Sequence, residues 1–253
     1  MILVLDIGNT NIVAGWYEGQ TLVAKWRILT IKQQSFQDYL DDFRQQLYNE
    51  FYDIPSLGKV IISSVVPELN GVWNHVIWEL FEHKAVWVDK ELYKKLDFEI
   101  LNPDEIGSDL VANAYAAWKK HQKPCIVIDL GTAMTFTVVL PPGTIAGVAI
   151  APGINTAFRS LFSRTSKLPD VSPEMPDSML GKDSHHAMRA GIMIGYQGVI
   201  KEMITRAEQE TGEKLVVIAT GGLSSILAPH IKRIDDIQPD LTLEGLWRIA
   251  EFV

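Results

Sequence analysis

Polar and apolar positions alternate in short blocks along this chain. Leu3-Val4-Leu5 is an apolar run of the kind that fills a strand covered on both faces, and Ile12-Val13-Ala14 resumes it after a cluster of turn residues. The pattern predicts strands near 2–6, 11–17 and 21–28, a helix near 35–50, the buried strand Val60-Ile61-Ile62-Ser63-Ser64, a helix near 68–83 and the strand Ala85-Val86-Trp87-Val88. A loop through Asn102-Pro103 then reaches Gly107-Ser108-Asp109, which opens a helix from Leu110 to His121. Beyond it come strands near 125–130 and 133–140, a Gly- and Pro-bounded strand from Ile145 to Gly153, a helix near 154–163 and a Pro-rich loop from Leu168 to Pro176. A helix near 184–211 carries Gly191, Gly195 and Gly198, which cost stability in an exposed helix, so close packing is expected around them. The last apolar strand, near 215–220, runs into Thr220-Gly221-Gly222 and a helix-like stretch.

One block is repeated. Ile126-Val127-Ile128-Asp129-Leu130-Gly131-Thr132 lies over Leu3-Val4-Leu5-Asp6-Ile7-Gly8-Asn9 at an offset of 123 residues, close to half of the 253. The chain therefore reads as two related α/β halves, 1–115 and 116–253, each presenting an acidic hairpin, and two such hairpins facing each other would clamp a phosphate. Gly8 brings main-chain N–H groups close to a ligand, and Asn9, Thr10 and Asn11 add short side-chain donors. The same residues also build ordinary hairpin turns, and both readings stand at this level. Gly221-Gly222 allows a flat ring or a phosphate to lie against bare backbone, or is a plain strand-to-helix turn. Asp109 sits where an N-cap commonly does.

Composition narrows the partners. With 47% hydrophobic residues the chain can bury a large core, and a net charge of −8 without clustered Lys and Arg argues against a nucleic-acid surface. Lys119-Lys120 with Lys123 is the densest basic cluster and reads as a solvated helix end. No apolar run approaches the roughly 20 residues that cross a bilayer, and the N-terminus lacks the basic region of a signal peptide, so no membrane contact and a cytoplasmic location are expected. The lone Cys125, at a strand start, reads as a small buried hydrophobe. His185-His186 point about 100° apart on a helix and make a poor metal pair.

The ordered set DIGNTN, SSVVP, NPDEIGSD, DLGTAMT, GVAIAPG followed by SRTSKLP, GKDS, GYQG, ATGG and LTLEGL resembles the type III pantothenate kinases over nearly the whole chain. The resemblance implies membership of the acetate and sugar kinase, Hsp70 and actin superfamily, with two ribonuclease-H-like lobes of mixed sheets flanked by helices. It implies transfer of the ATP γ-phosphoryl group to the primary hydroxyl of pantothenate, the first step toward coenzyme A, by a homodimer. It assigns Asp109 as the catalytic carboxylate that accepts or orients the alcohol proton. Asp6 would face Mg²⁺ through its waters, and Gly8, Asn9, Thr10 and Asn11 would hold the β- and γ-phosphates. Asp129 would bind a monovalent cation, K⁺ or NH₄⁺, Thr132 would contact ATP, and Gly221-Gly222 would border the adenosine. Gly107, Ser108, Asp109 and Leu110 would meet pantothenate, with Ser184 reaching it from a partner subunit.

The chain departs from the family pattern twice: Leu110 stands where Gly-x-Asp-Arg has Arg, and Ile100-Leu101 where a Tyr precedes Asn-Pro. An Arg fork matched to a carboxylate is not replaced by an aliphatic chain, and Lys182, Arg159 and Arg164 are the candidates for the missing charge. Two other readings follow from the departures: a kinase of the same superfamily acting on another small alcohol or acid, and a nucleotide-binding regulator without catalysis.

Overall fold

The structure is a computed structural model that describes residues 1–253. The chain divides into two compact units, Met1–Ala116 with Thr242–Val253, and Ala117–Leu241. The first holds β1 (Ile2–Ile7), β2 (Asn11–Glu18), β3 (Thr21–Leu29), α1 (Phe36–Glu50), β4 (Lys59–Ser64), α2 (Asn70–Phe81), β5 (Val86–Trp87), α3 (Lys90–Tyr93), β6 (Glu99–Ile100) and most of α4 (Ser108–His121). The second holds β7 (Cys125–Leu130), β8 (Ala133–Leu140), β9 (Thr144–Pro152), α5 (Ile154–Arg164), α6 (Ser184–Arg189), α7 (Gly195–Thr211), β10 (Val216–Thr220), α8 (Ser224–Leu227) and β11 (Asp236–Ile237), and the chain returns to the first for α9 (Leu241–Phe252).

In the first unit the strands lie in the order β3-β2-β1-β4-β5, with β1-β2-β3 antiparallel and β4 and β5 parallel to β1. In the second the order is β9-β8-β7-β10-β11 with the same sense of pairing. The repeat in sequence is thus a repeat in topology, and this is the expected α/β architecture of mixed sheets flanked by helices. The match extends to irregularities. The β2–β3 ladder shifts register between Trp16 and Tyr17, and the β8–β9 ladder between Val138 and Val139. Ile7 pairs with Ile12 as Leu130 pairs with Met134, so the offset of 123 before the turn becomes 122 after it: the first acidic turn is one residue longer.

Alternation along β1 decides what each face does. Leu3, Leu5 and Ile7 enter a cluster with Trp16, Trp26, Tyr39, Phe43 and Trp73, in which the Phe43 and Trp73 rings meet edge to face at 5.4 Å. Val4 and Asp6 point the other way. Gly15, across from Val4, lets the strand pair sit against Leu243 of α9, since a Cβ there would stand 3.0 Å from Val4 Cγ2 and 3.1 Å from Leu243 Cδ1. Gly245 of α9 likewise packs on the Ala112 carbonyl of α4, and Thr242 Oγ1 donates to Asn113 Oδ1 at 2.8 Å. Helix α1 starts at a capping box in which Ser35 Oγ accepts from Asp38 N at 3.2 Å, a feature worth about 1 kcal/mol.

In the second unit Ile126, Ile128 and Leu130 enter a core with Met134, Phe136, Phe158, Met193 and Ile200. Cys125 is fully buried, and burial pushes its thiol up to about 12, as a small hydrophobe should behave. The long helix expected over 184–211 is α6, a π-helical turn at 190–194 and α7. The expected close packing of its glycines is not found: nothing lies within 4 Å of a Cβ built on Gly191, Gly195 or Gly198, and all three face solvent. The apolar residues between them, Ile192 and Met193, carry the packing instead.

Candidate active site

Asp6 is the penultimate residue of β1 and lies on the face away from the large aromatic cluster. Its parallel-strand neighbour is Ser63, whose Oγ donates to Asp6 Oδ1 at 3.1 Å. Ser63 is fully buried and also bonds Ser108 Oγ at 2.9 Å, and Ser108 Oγ in turn accepts from Ser64 N at 3.1 Å. Two hydrogen bonds therefore run from Asp6 through Ser63 to the first residue of α4, and a third ties that residue to Ser64. The residue after Ser108 is Asp109.

Asp109 is the second residue of α4, not its N-cap, and its Oδ1 accepts from Leu110 N at 2.9 Å. The carboxylate folds back over Gly107, where a Cβ would overlap Oδ1. Burial raises its pKa above the usual Asp range; the backbone N–H bonds pull it down but are outweighed. Tyr93 is raised too, first by its own burial and then by the charge of Asp109. Leu110 is 7% exposed and part of the interior, while Ser108 turns its hydroxyl inward.

The turn after β1 is fixed by its own backbone and by the end of β3. Gly8 N donates to Asn11 O at 3.0 Å, Thr30 Oγ1 donates to Gly8 O at 2.7 Å, and Thr30 N donates to Thr10 O at 3.0 Å. Asn9 stands exposed at the tip. The second unit repeats the device: Gly153 N donates to Thr132 O at 3.1 Å, with Thr156 Oγ1 adding a bond to the same oxygen at 2.7 Å. Thr30 and Gly153 are themselves 123 residues apart. Each turn is thus a rigid loop with an exposed tip.

Asp129 is the penultimate residue of β7 as Asp6 is of β1, and its parallel neighbour Thr220 again carries a hydroxyl. Its antiparallel neighbour differs. Where Asp6 faces Val13, Asp129 is in register with Thr135, whose buried Oγ1 makes no hydrogen bond. Gly221, at φ +88°, passes so close that a Cβ on it would overlap Asp129 Oδ1 and stand 2.8 Å from the Leu130 backbone. Gly222 is exposed with nothing near it, and Ser224 Oγ donates to Gly221 O at 2.7 Å, closing the turn into α8. Asp129, Thr132 and Gly221 are therefore brought together within the second unit, and Asp6, Gly8 to Asn11 and the Gly107–Leu110 segment within the first. Ser184 is exposed at the start of α6, where Asp183 caps the helix by accepting from His186 N at 2.8 Å.

The sequence model of the type III pantothenate kinases matches residues 2–206. A type III pantothenate kinase of Moorella thermoacetica is 37% identical over 251 residues, covering 99% of both chains, and one of Geobacter sulfurreducens is 40% identical, covering 97% of this chain and 96% of its own. This chain belongs to the type III pantothenate kinase family. Among solved structures, component A of the (R)-2-hydroxyglutaryl-CoA dehydratase of Acidaminococcus fermentans aligns over 100% of this chain and 96% of its own with a TM-score of 0.57 at 13% identity, which shows a shared fold.

Two hydroxyls beside the acidic residues have no signal of their own in the sequence. Ser63 stands only as the first residue of SSVVP and Thr135 as the last of DLGTAMT, and neither hydroxyl carried a role. Both sit directly across from a site carboxylate, a relationship that strand pairing creates.

Proposed function

We propose that this chain phosphorylates pantothenate at its primary hydroxyl with ATP, in the cytoplasm, with Asp109 taking or orienting the alcohol proton. The observation that carries the assignment is the carboxylate of Asp109, half-buried at the start of α4 with a raised pKa and joined through Ser108 and Ser63 to Asp6. A carboxylate of raised basicity beside an alcohol is suited to proton transfer, and in a loose phosphoryl transfer its orienting effect counts as much. The segment Gly107, Ser108, Asp109 and Leu110 forms the acceptor side.

Gly8, Asn9, Thr10 and Asn11 hold the β- and γ-phosphates, and Asp6 faces a Mg²⁺ ion through water. The residues fit such an ion: no group of three His, Cys, Asp or Glu side chains gathers into a cage, and one carboxylate suits a cation that keeps most of its hydration shell. Bound Mg²⁺ supplies charge neutralisation on the phosphates. Asp129 holds a monovalent cation, K⁺ or NH₄⁺, and the unpartnered hydroxyl of Thr135 in register with it supplies a neutral oxygen of the kind such ions take. Thr132 contacts ATP and Gly221-Gly222 border its adenosine.

The homodimer belongs to this reading. Ile150, Phe162, Met179, Leu180 and Val199 are exposed apolar residues of the second unit, and Ile150, Met179 and Leu180 are about two-thirds or more accessible at 68%, 70% and 75%. Ser184, exposed on α6, is the hydroxyl that reaches pantothenate across that interface.

A coupled ADP-release assay with and without pantothenate tests the assignment. The native chain should consume ATP only when pantothenate, Mg²⁺ and a monovalent cation are present. Leu110→Arg should lower the KM for pantothenate by giving its carboxylate a partner, at a cost in stability because the site is interior. ATP consumption that ignores pantothenate but responds to another small alcohol would replace this substrate with that one.

A further inference from the structure

Ser63 touches neither turn tip nor the acceptor segment's exposed side, yet its buried side chain bonds both Asp6 and the start of α4. The direction of its hydrogen bonds is set by chemistry. An ionised carboxylate only accepts, so the Ser63 hydroxyl proton must point at Asp6 Oδ1. Ser63 Oγ is then the acceptor in its 2.9 Å bond with Ser108, whose proton has the Ser64 carbonyl as a second, longer acceptor at 3.3 Å. Ser108 Oγ has a lone pair left, and Ser64 N–H fills it at 3.1 Å. With the shorter bond taken for Ser108, the donors Ser64 N–H, Ser108 Oγ–H and Ser63 Oγ–H run in series toward Asp6.

We infer that Ser63 and Ser108 are positioning residues that lock the Asp6 carboxylate in the orientation that receives hydrated Mg²⁺ and, through the same bonds, fix the first turn of α4 on which Asp109 rides. The inference rests on the proposed kinase reading and extends it to two side chains that meet neither substrate through their hydroxyls. Strand register makes the link stiff. Asp6 and Ser63 are paired across β1 and β4, so neither can move along its strand without breaking the parallel ladder that buries Leu5 and Ile62. A hydrogen bond to a charged group is worth more than a neutral one, and losing it removes one of the bonds that orient the carboxylate.

The test uses the full-length protein and a non-hydrolysable ATP analogue, with affinity read by calorimetry and by the rise in melting temperature that the analogue causes. Ser63→Ala and Ser108→Ala should each weaken the Mg²⁺-bound analogue by about tenfold. The double variant should be no weaker than the worse single, because both break one series of bonds. Without Mg²⁺, in excess chelator, the native and variant proteins should bind the analogue alike. In turnover, Ser63→Ala should raise the Mg²⁺ concentration needed for half-maximal rate. Unchanged Mg²⁺-dependent affinity in Ser63→Ala, additive losses in the double variant, or equal losses with and without Mg²⁺ would each overturn the inference. Pantothenate dependence of the native enzyme is read separately, so failure of the substrate assignment leaves these binding results interpretable.

Discussion

Gly221 and Asp129 are in contact through bare backbone: a Cβ on the glycine would overlap Oδ1 of the carboxylate. At φ +88° an alanine is also strained. Gly221→Ala should therefore lower stability by roughly 2–4 kcal/mol, combining a left-handed backbone penalty with overpacking against Leu130. Gly222→Ala, with open space around it, should leave the urea midpoint unchanged. Equal midpoints for the two variants would show that the turn yields.

Gly107 presents the opposite case, because what a Cβ meets there is the end of a side chain that can swing away. Gly107→Ala should fold with a nearly native melting temperature and displace the Asp109 carboxylate. Displacement on the order of 1 Å costs about a hundredfold in rate. The check is kcat with pantothenate beside thermal unfolding; a native kcat would mean that Asp109 is not where the chemistry needs it.

Asp109→Asn should reduce kcat by about 10²–10⁴-fold, the range expected for a lost general base. It should also stabilise the protein above the acid range. The folded-state pKa is raised, so protonation favours the folded form; the contribution is fully present below the unfolded value of about 3.9 and is lost as pH rises through the folded pKa. The melting-temperature advantage of the Asn variant should accordingly be small near pH 4 and grow toward neutrality. An advantage independent of pH would place its origin elsewhere.

Thr135→Val keeps the shape of the side chain and removes a buried hydroxyl that makes no hydrogen bond. Without monovalent salt the variant should be as stable as the native chain or more so, since an unsatisfied buried hydroxyl costs about 1–3 kcal/mol. If Thr135 serves the cation beside Asp129, half-maximal activation should need about tenfold more K⁺. Titration of activity with KCl at constant ionic strength decides this, and an unchanged curve would remove Thr135 from the site.

The apolar blocks were enough to place β1, β2, β3, β7, β8 and β9 within a residue or so, because alternation and turn chemistry are local. The 123-residue echo likewise revealed two equivalent acidic turns. What stayed hidden was of another kind. Whether Gly191, Gly195 and Gly198 face a neighbour or solvent depends on which side of a helix the fold covers, and a π-helical turn at 190–194 interrupts that helix without a sequence mark.

By itself, then, the sequence determined the strand-turn-strand units, the acidic residue at each turn and the family, all carried by side chains near one another along the chain. Only the tertiary structure decided that Ser63 and Ser108, separated by 45 positions, meet beside Asp6, that Thr135 stands unpartnered across from Asp129, and that α9 returns to the first unit. Those facts depend on strand register and helix placement, which are fixed by packing between distant segments, and a pairing shift of one residue would turn each side chain to the opposite face.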